Sequence, residues 1–160
     1  MTAKQGIEGE LLYKASIRFT HLVEYGTSMQ EFTLGKTIIP PEGMRFDQRF
    51  EGELHGPKIT GTMIGTDYLY VRADGQFQLH LHAQVITDDG VNIAFSSSGL
   101  SIHKEGERNT QLRATVSLFS SSESYRWVNS LQLWAIGELD PRNQVKMLRV
   151  LEEKVVERVG

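Results

Sequence analysis

Hydrophobic and polar residues alternate along most of the chain, with the period of two that a half-buried β-strand produces. The clearest run is FQLHLHAQVIT, residues 77–87, in which Phe, Leu, Leu, Ala and Val are separated by Gln, His, His and Gln. Similar alternation recurs in residues 11–20, 91–96, 111–117 and 130–135. The pattern predicts an all-β protein.

Turn residues separate these alternating runs. Asp74-Gly75 and Asp89-Gly90 each lie between two such segments, and an Asp-Gly pair in this position predicts a tight β-hairpin. We also expect a corner at Gly65–Tyr68, where Asp67 would hydrogen-bond its own backbone. Many short strands with tight turns predict an antiparallel sandwich or barrel.

Two segments depart from the alternation. Residues 27–50 contain two adjacent prolines and are predicted to form an irregular flap. Near the C-terminus, Asp140-Pro141 is typical of a helix start, and Leu151 to Val159 carries hydrophobic residues at helical spacing. The stretch between them fits either a helix or a strand.

Composition narrows the class of protein. The 160 residues suit one domain, 39% are hydrophobic and 23% charged, and the net charge is −3. Lysine and arginine are scattered, so we expect no nucleic-acid partner. The apolar runs are far shorter than the roughly 20 residues of a membrane-spanning helix, so we expect no membrane partner. The chain has no cysteine, which excludes disulfides and thiolate chemistry and fits the cytoplasmic location that we predict.

Several short motifs together resemble those of a known family. They are FEG at 50–52, GTDY at 65–68, RADG at 72–75, TDDG at 87–90 and YRWVN at 125–129. Over residues 11–151 the chain resembles the bacterial and fungal family known as domain of unknown function 3237. The resemblance implies a single antiparallel β-barrel of lipocalin-like appearance, with about eight strands or more. It also implies that residues 144–151 form the closing strand, which leaves 152–160 as a short helix or tail.

The pair His80-x-His82 has three interpretations. In a strand both side chains project from the same face, about 7 Å apart, so they could wet the outside, line a polar pocket or share a metal ion. A metal site needs a further ligand, and residues 83–87 supply none, so we assign no metal. A small barrel normally turns its apolar face inward, but period two alone does not decide the face. The family usually has Asp-x-Arg here and Trp in place of Tyr68, so no role transfers to these residues.

The remaining candidates follow from residue type and position. Asp67 and His82 are the candidate acid–base residues. Arg72 is a candidate anion anchor, with an ion pair to Asp74 or Asp67 as its structural alternative. If residues 125–129 are extended, three polar-tipped side chains share one face and form either an edge of the core or a wall for a flat apolar ligand. The full set of predicted ligand-binding residues is Tyr68, Arg72, His80, Tyr125, Trp127 and Asn129.

We predict a β-barrel that binds a small apolar or aromatic molecule. The alternative is an enzyme, a cofactor-free isomerase, cyclase or hydratase that works by proton transfer; a second alternative is a structural protein with a filled barrel. No glycine-rich phosphate-binding loop is present, and we expect no cofactor. The sequence also has no serine-nucleophile motif. A homodimer is compatible with the need to cover the irregular flap or an apolar outer face.

Overall fold

Eight antiparallel strands close into a barrel in the order β1 to β8, with β8 paired back to β1. The structure is a computed structural model and describes residues 3–107, 109–140 and 144–159. It confirms the predicted all-β barrel. The strands are β1 Ala3–Glu24, β2 Met44–His55, β3 Gly61–Val71, β4 Phe77–Thr87, β5 Asn92–Ile102, β6 Thr110–Phe119, β7 Leu133–Leu139 and β8 Gln144–Val159. A helix, α1, spans Met29–Thr33, and a short 3₁₀-helix spans Arg126–Ser130.

The apolar face of each strand turns inward, as expected for a small barrel. In β4, Leu79, Leu81 and Val85 pack into the hydrophobic core, whereas His80 and His82 are exposed on the outside. The alternation in the sequence left this choice of face open. The barrel closes so that the leucine-rich face is buried and the imidazoles remain hydrated.

The two predicted Asp-Gly hairpins are confirmed. Gly75 and Gly90 have φ values of 90° and 85°, which residues with a side chain rarely adopt. Each glycine N–H closes its turn, donating to the carbonyl of Arg72 at 2.8 Å and of Thr87 at 2.9 Å. These turns lie at opposite ends of the barrel, since they follow successive antiparallel strands.

Three expectations about local structure are wrong. The segment Gly65–Tyr68 is no corner, because it continues β3 and Gly65 pairs with Phe50 and Ala83 across both neighbours. Residues 44–50 belong to β2, so the irregular segment ends before Met44. Residues 152–159 continue β8 as a strand and form no helix, whereas the closing strand expected over 144–151 is confirmed.

The extended C-terminus follows from its pairing partner. The N-terminal part of β1 offers a backbone edge over its whole length, and β8 pairs with it from Ala3–Val159 to Arg18–Gln144. Valine-rich sequence suits a strand because β-branched side chains are restricted in helices. The ladder hydrogen bonds therefore outweigh the helical spacing of the hydrophobic residues.

The two ends of the barrel differ in their connections. One end, the mouth, carries α1 and the β3–β4 and β5–β6 connections. The other, the closed end, carries the β2–β3 and β4–β5 turns and the 3₁₀-helix, whose Val128 is buried in the core. None of the described helices is both long enough and apolar enough to cross a membrane.

Candidate functional site

A cavity of about 750 Å³ occupies the mouth half of the barrel lumen. Most of its wall is apolar: Ile17, Phe19, Met29, Phe32, Phe50, Leu69, Phe77, Leu79, Leu81, Phe95, Leu112, Ala114, Ala135 and Leu139. The polar groups come from several strands and connections: Thr33, Gln48, Asp67, Asp74, Gln76, Ser97, Ser101, His103, Thr110 and Asp140. A concave, largely apolar site with a few convergent polar groups is the usual form of a small-molecule site.

Asp67 is a buried carboxyl group of the cavity wall, and Asp140 near the mouth is a second one. Asp67 lies in the middle of β3, its side chain points inward, and 3% of its surface is exposed. Burial raises its pKa from 3.8 to about 7, because desolvation disfavours the charged form more than the His80 amide hydrogen bond favours it. Near neutral pH the group is therefore divided between acid and carboxylate.

A backbone hydrogen bond holds the Asp67 carboxyl. The amide N–H of His80 donates to Oδ1 at 3.1 Å, so β4 supports a side chain of β3. The described β3–β4 pairing runs to Asp67–Leu81 and resumes at Tyr70–Gln78, and this bond lies in the interval. The bond orients the carboxyl, and Oδ2 remains to carry the proton of the acid form.

Gln48 is the cross-strand partner of Asp67 on β2 and also lines the cavity. Its amide has both a donor and an acceptor, so it can serve either protonation state of a neighbouring group. Ser97, on the wall formed by β5, donates its hydroxyl to the carbonyl of Thr115 at 2.8 Å. Ser97 is thus engaged by the barrel itself, whereas Gln48 is the polar side chain placed beside Asp67.

Helix α1 covers part of the mouth. Ser28 caps it, accepting the amide of Glu31 at 3.2 Å, and Phe32 packs against Phe77 with ring centroids 5.9 Å apart. The pair rests on the small core cluster formed by β2 and β3. Access to the lumen therefore passes beside an aromatic lid.

The histidine pair lies on the other side of the wall from the cavity. His80 and His82 are exposed on the outer face of β4, next to Tyr68, which is 38% exposed. Asp67 and His82 thus lie on opposite faces of the wall, and the structure does not bring this predicted acid–base pair together. Neither Tyr68 nor His80 lines the cavity, so their predicted roles in ligand binding remain predictions.

Arg72 lies at the mouth and forms an ion pair with Asp74, which was the structural alternative to its predicted role as an anion anchor. Its guanidinium donates to Asp74 Oδ2 at 2.6 Å, and both side chains are largely exposed. Asp74 lines the cavity entrance and Arg72 does not. An exposed pair of this kind contributes little to stability.

The predicted aromatic wall lies at the closed end, away from the cavity. Residues 126–130 form a 3₁₀-helix, so Tyr125, Trp127 and Asn129 do not share a strand face and that expectation is wrong. Each has a local hydrogen-bond partner. Tyr125 donates to Asp89, and Trp127 donates to the carbonyl of Ser124. Asn129 accepts the N–H of Ser120 and donates to its carbonyl. These contacts hold the closed end together.

Sequence reasoning missed several polar residues of the cavity, among them Gln48, Ser101, His103 and Asp140. Once the strand register is known, Gln48 follows from its pairing with Asp67. The mouth residues lie in or near connections, where alternation gives no direction. The part of the chain that the structure describes contains no group of three His, Cys, Asp or Glu residues able to hold a metal ion.

Comparison with known proteins assigns the chain to a family. The family described as "Protein of unknown function (DUF3237)" matches residues 27–151. The chain belongs to this family. The resemblance inferred from its motifs is thereby confirmed, although the family name carries no activity.

Solved structures share the barrel. A β-barrel-like protein from Acinetobacter baumannii matches with a TM-score of 0.75 at 20% identity, covering 93% of this chain and 97% of that protein. An enzyme from Penicillium herquei matches with a TM-score of 0.61 at 22% identity, covering 91% and 94%. At such identities the likeness establishes the fold.

One curated relative has a named activity. The hydroalkoxylation enzyme phnH of Penicillium herquei is 32% identical over 84 residues, which are 52% of this chain and 50% of that protein. The matched region therefore spans about half the length of the relative.

Proposed function

We propose that the barrel binds a small apolar, unsaturated molecule in its lumen, and that Asp67 transfers a proton while a hydroxyl group adds to a carbon–carbon double bond. The observation that carries the proposal is a buried carboxyl group, with a pKa of about 7, in the wall of an apolar cavity. A proton donor is most effective when its pKa lies near the working pH.

The lumen supports binding of this kind of molecule. Its volume of about 750 Å³ falls in the range of roughly 300–1,000 Å³ usual for small-molecule sites. Aromatic and aliphatic side chains surround the space, with Phe50 and Leu81 on the strands beside Asp67. An apolar wall also excludes water, which would otherwise capture a reactive cation.

The proton transfer can be written as a closed cycle. Protonated Asp67 donates its Oδ2 proton to one alkene carbon as the π bond breaks, which leaves the positive charge on the other carbon. The hydroxyl oxygen of the same or a second molecule bonds to that carbon, and its proton returns to the Asp67 carboxylate. Because the O–H and C=C π bonds are exchanged for C–O and C–H bonds, the step is redox neutral and needs no cofactor.

The Asp67 carboxylate left after donation stabilises the cation that it faces. Its orientation is fixed by the His80 amide, so little reorganisation accompanies the step. Gln48 is placed to hydrogen-bond either the carboxyl or the attacking hydroxyl. The activity named for the Penicillium herquei relative, a hydroalkoxylation, is an addition of this class.

The test compares Asp67→Asn with the wild type and with Asp89→Asn, a matched change at the exposed closed end. An alkenylphenol is the probe, its binding measured by calorimetry and its conversion to a cyclic ether by chromatography. We expect Asp67→Asn to lose at least about 100-fold in kcat/KM while binding within a few-fold of wild type. Asp89→Asn should match the wild type in both.

Wild-type turnover should also fall as pH rises through about 7, because the acid form of Asp67 disappears. Retention of turnover by Asp67→Asn contradicts the acid role. Binding without turnover by the wild type across a set of alkenylphenols contradicts the enzyme and supports a binding barrel.

A further inference from the structure

The two outward histidines of β4 lie within hydrogen-bond distance of each other. Their Nε2 atoms lie 3.1 Å apart, and the rings meet edge to face with centroids 4.8 Å apart and an interplanar angle of 82°. Side chains at positions i and i+2 of a strand leave the backbone about 7 Å apart, so the two rings lean toward each other. One imidazole can therefore donate to the other, or both Nε2 lone pairs can bind one ion.

That separation matches a shared metal ion. A zinc–nitrogen bond is about 2.0–2.1 Å, so two Nε2 atoms 3.1 Å apart subtend an angle of about 100° at a common ion. This value lies between the angles of octahedral and tetrahedral coordination.

One neighbour can set the tautomer of His80. His80 Nδ1 lies 3.3 Å from the Ser98 hydroxyl on β5, which can accept a hydrogen bond from Nδ1–H and leave Nε2 as a lone-pair donor. The Tyr68 ring flanks both imidazoles, with centroid distances of 6.4 Å to His80 and 6.1 Å to His82. Ser98 and Tyr68 thus contact the two imidazoles, and both histidines remain exposed to solvent.

We propose that His80 and His82 form a two-histidine binding site for an exchangeable transition-metal ion on the outer wall of the barrel. Imidazole ligands suit Zn²⁺, Cu²⁺ and Ni²⁺, whereas Mg²⁺ and Ca²⁺ prefer oxygen. Among the described residues no third His, Cys, Asp or Glu completes a cluster, so a closed metal site is absent, as the sequence predicted, and water would fill the remaining positions of an open, exchangeable one. The site is independent of the function proposed for the lumen, although His80 belongs to both through its backbone.

The experiment is a calorimetric titration of tag-free protein with Zn²⁺. The proteins compared are the wild type, His80→Gln, His82→Gln and the control His55→Gln, whose imidazole is also exposed and lies 3.5 Å from Glu53. We expect one Zn²⁺ per wild-type chain and an unchanged titration for the control. Each of the other two variants should bind at least about tenfold more weakly, since loss of a supporting residue alone costs that much at metal sites.

A second readout counts the ligands. With Cu²⁺ in place of Zn²⁺, electron spin-echo spectra of the wild type should show two coordinated imidazoles, and those of His82→Gln fewer. Equal Zn²⁺ binding by wild type, His80→Gln and His82→Gln would overturn the proposal, as would a wild type that binds no Zn²⁺. Because the substituted side chains are exposed, all variants should unfold at the wild-type temperature in the absence of metal.

Discussion

The lumen and the closed end of the barrel shift the pKa of an aspartate in opposite directions. In the lumen, burial raises the pKa of Asp67 to about 7. At the closed end, hydrogen bonds from Thr87 and Tyr125 lower the pKa of the exposed Asp89. Both residues looked alike in the sequence, as carboxylates next to turn-type residues, and their surroundings leave one desolvated beside a cavity and make the other part of a turn.

The difference extends to the other polar groups at the two ends. At the closed end Asn129 uses both parts of its amide on Ser120, accepting its N–H and donating to its carbonyl, each at 2.8 Å. In the lumen Asp67 has one oxygen held by His80 and faces an apolar space. Polar groups saturated by the chain support the fold, whereas a desolvated group turned toward a cavity is available to a ligand.

The largest effect on stability should come from the charge of Asp67. Its pKa is about 7 in the folded protein and near 3.8 unfolded, so between these pH values the folded state binds more protons. The free energy of unfolding should therefore fall as pH rises from about 4 to about 7, by an amount on the order of 4 kcal/mol, and level off above.

Asp67→Asn isolates this contribution, because the amide oxygen can still accept the His80 N–H. In urea unfolding from pH 4 to pH 8, the free energy of unfolding of the variant should exceed that of the wild type by an amount that grows with pH. Parallel curves would show that Asp67 does not titrate in this range.

A smaller effect is expected from Asn129→Ala at the closed end. The change leaves the partly buried N–H and C=O of Ser120 without the side chain that pairs them, which should cost about 1–3 kcal/mol at any pH. Urea unfolding at pH 5 and pH 8 measures it. A cost that varies with pH would indicate that the closed end is coupled to a titrating group.

The smallest effect is expected from Asp89→Asn. Since its pKa is lowered in the fold, the Asp89 carboxylate adds stability above its unfolded value of 3.8, and that stability is lost as pH falls through the folded pKa. The variant should lower Tm at pH 7 by less than Asn129→Ala does, and the difference should shrink below pH about 4. A difference that grows in acid would contradict the assigned direction of the shift.

Much of the fold could be predicted from the sequence. Alternation and Asp-Gly turns predicted the strands and hairpins, because side-chain period and turn geometry are local properties. The strand over residues 152–159 was missed, since its ladder partner is the N-terminal part of β1, at the far end of the chain. Closure of the barrel is a long-range pairing that local spacing does not encode.

The candidate site was only partly predictable. Asp67 was selected from a supposed corner, and the structure instead places it inside β3 with its side chain in the lumen. The histidines drew attention by residue type, yet the leucines beside them determine that they face outward. The polar residues near the mouth come from several connections, and only the closed barrel brings them together.

The most direct test of the proposed acid is a titration of the Asp67 carboxyl itself. Carbon-13 NMR of the aspartate carboxyl groups, with Asp67→Asn to assign the signal, reports its pKa in the wild-type protein. We predict a midpoint near 7, well above the ordinary value of 3.8. A midpoint at or below that ordinary value would mean that the carboxyl is hydrated or paired, and Asp67 could not then serve as the proton donor of the lumen.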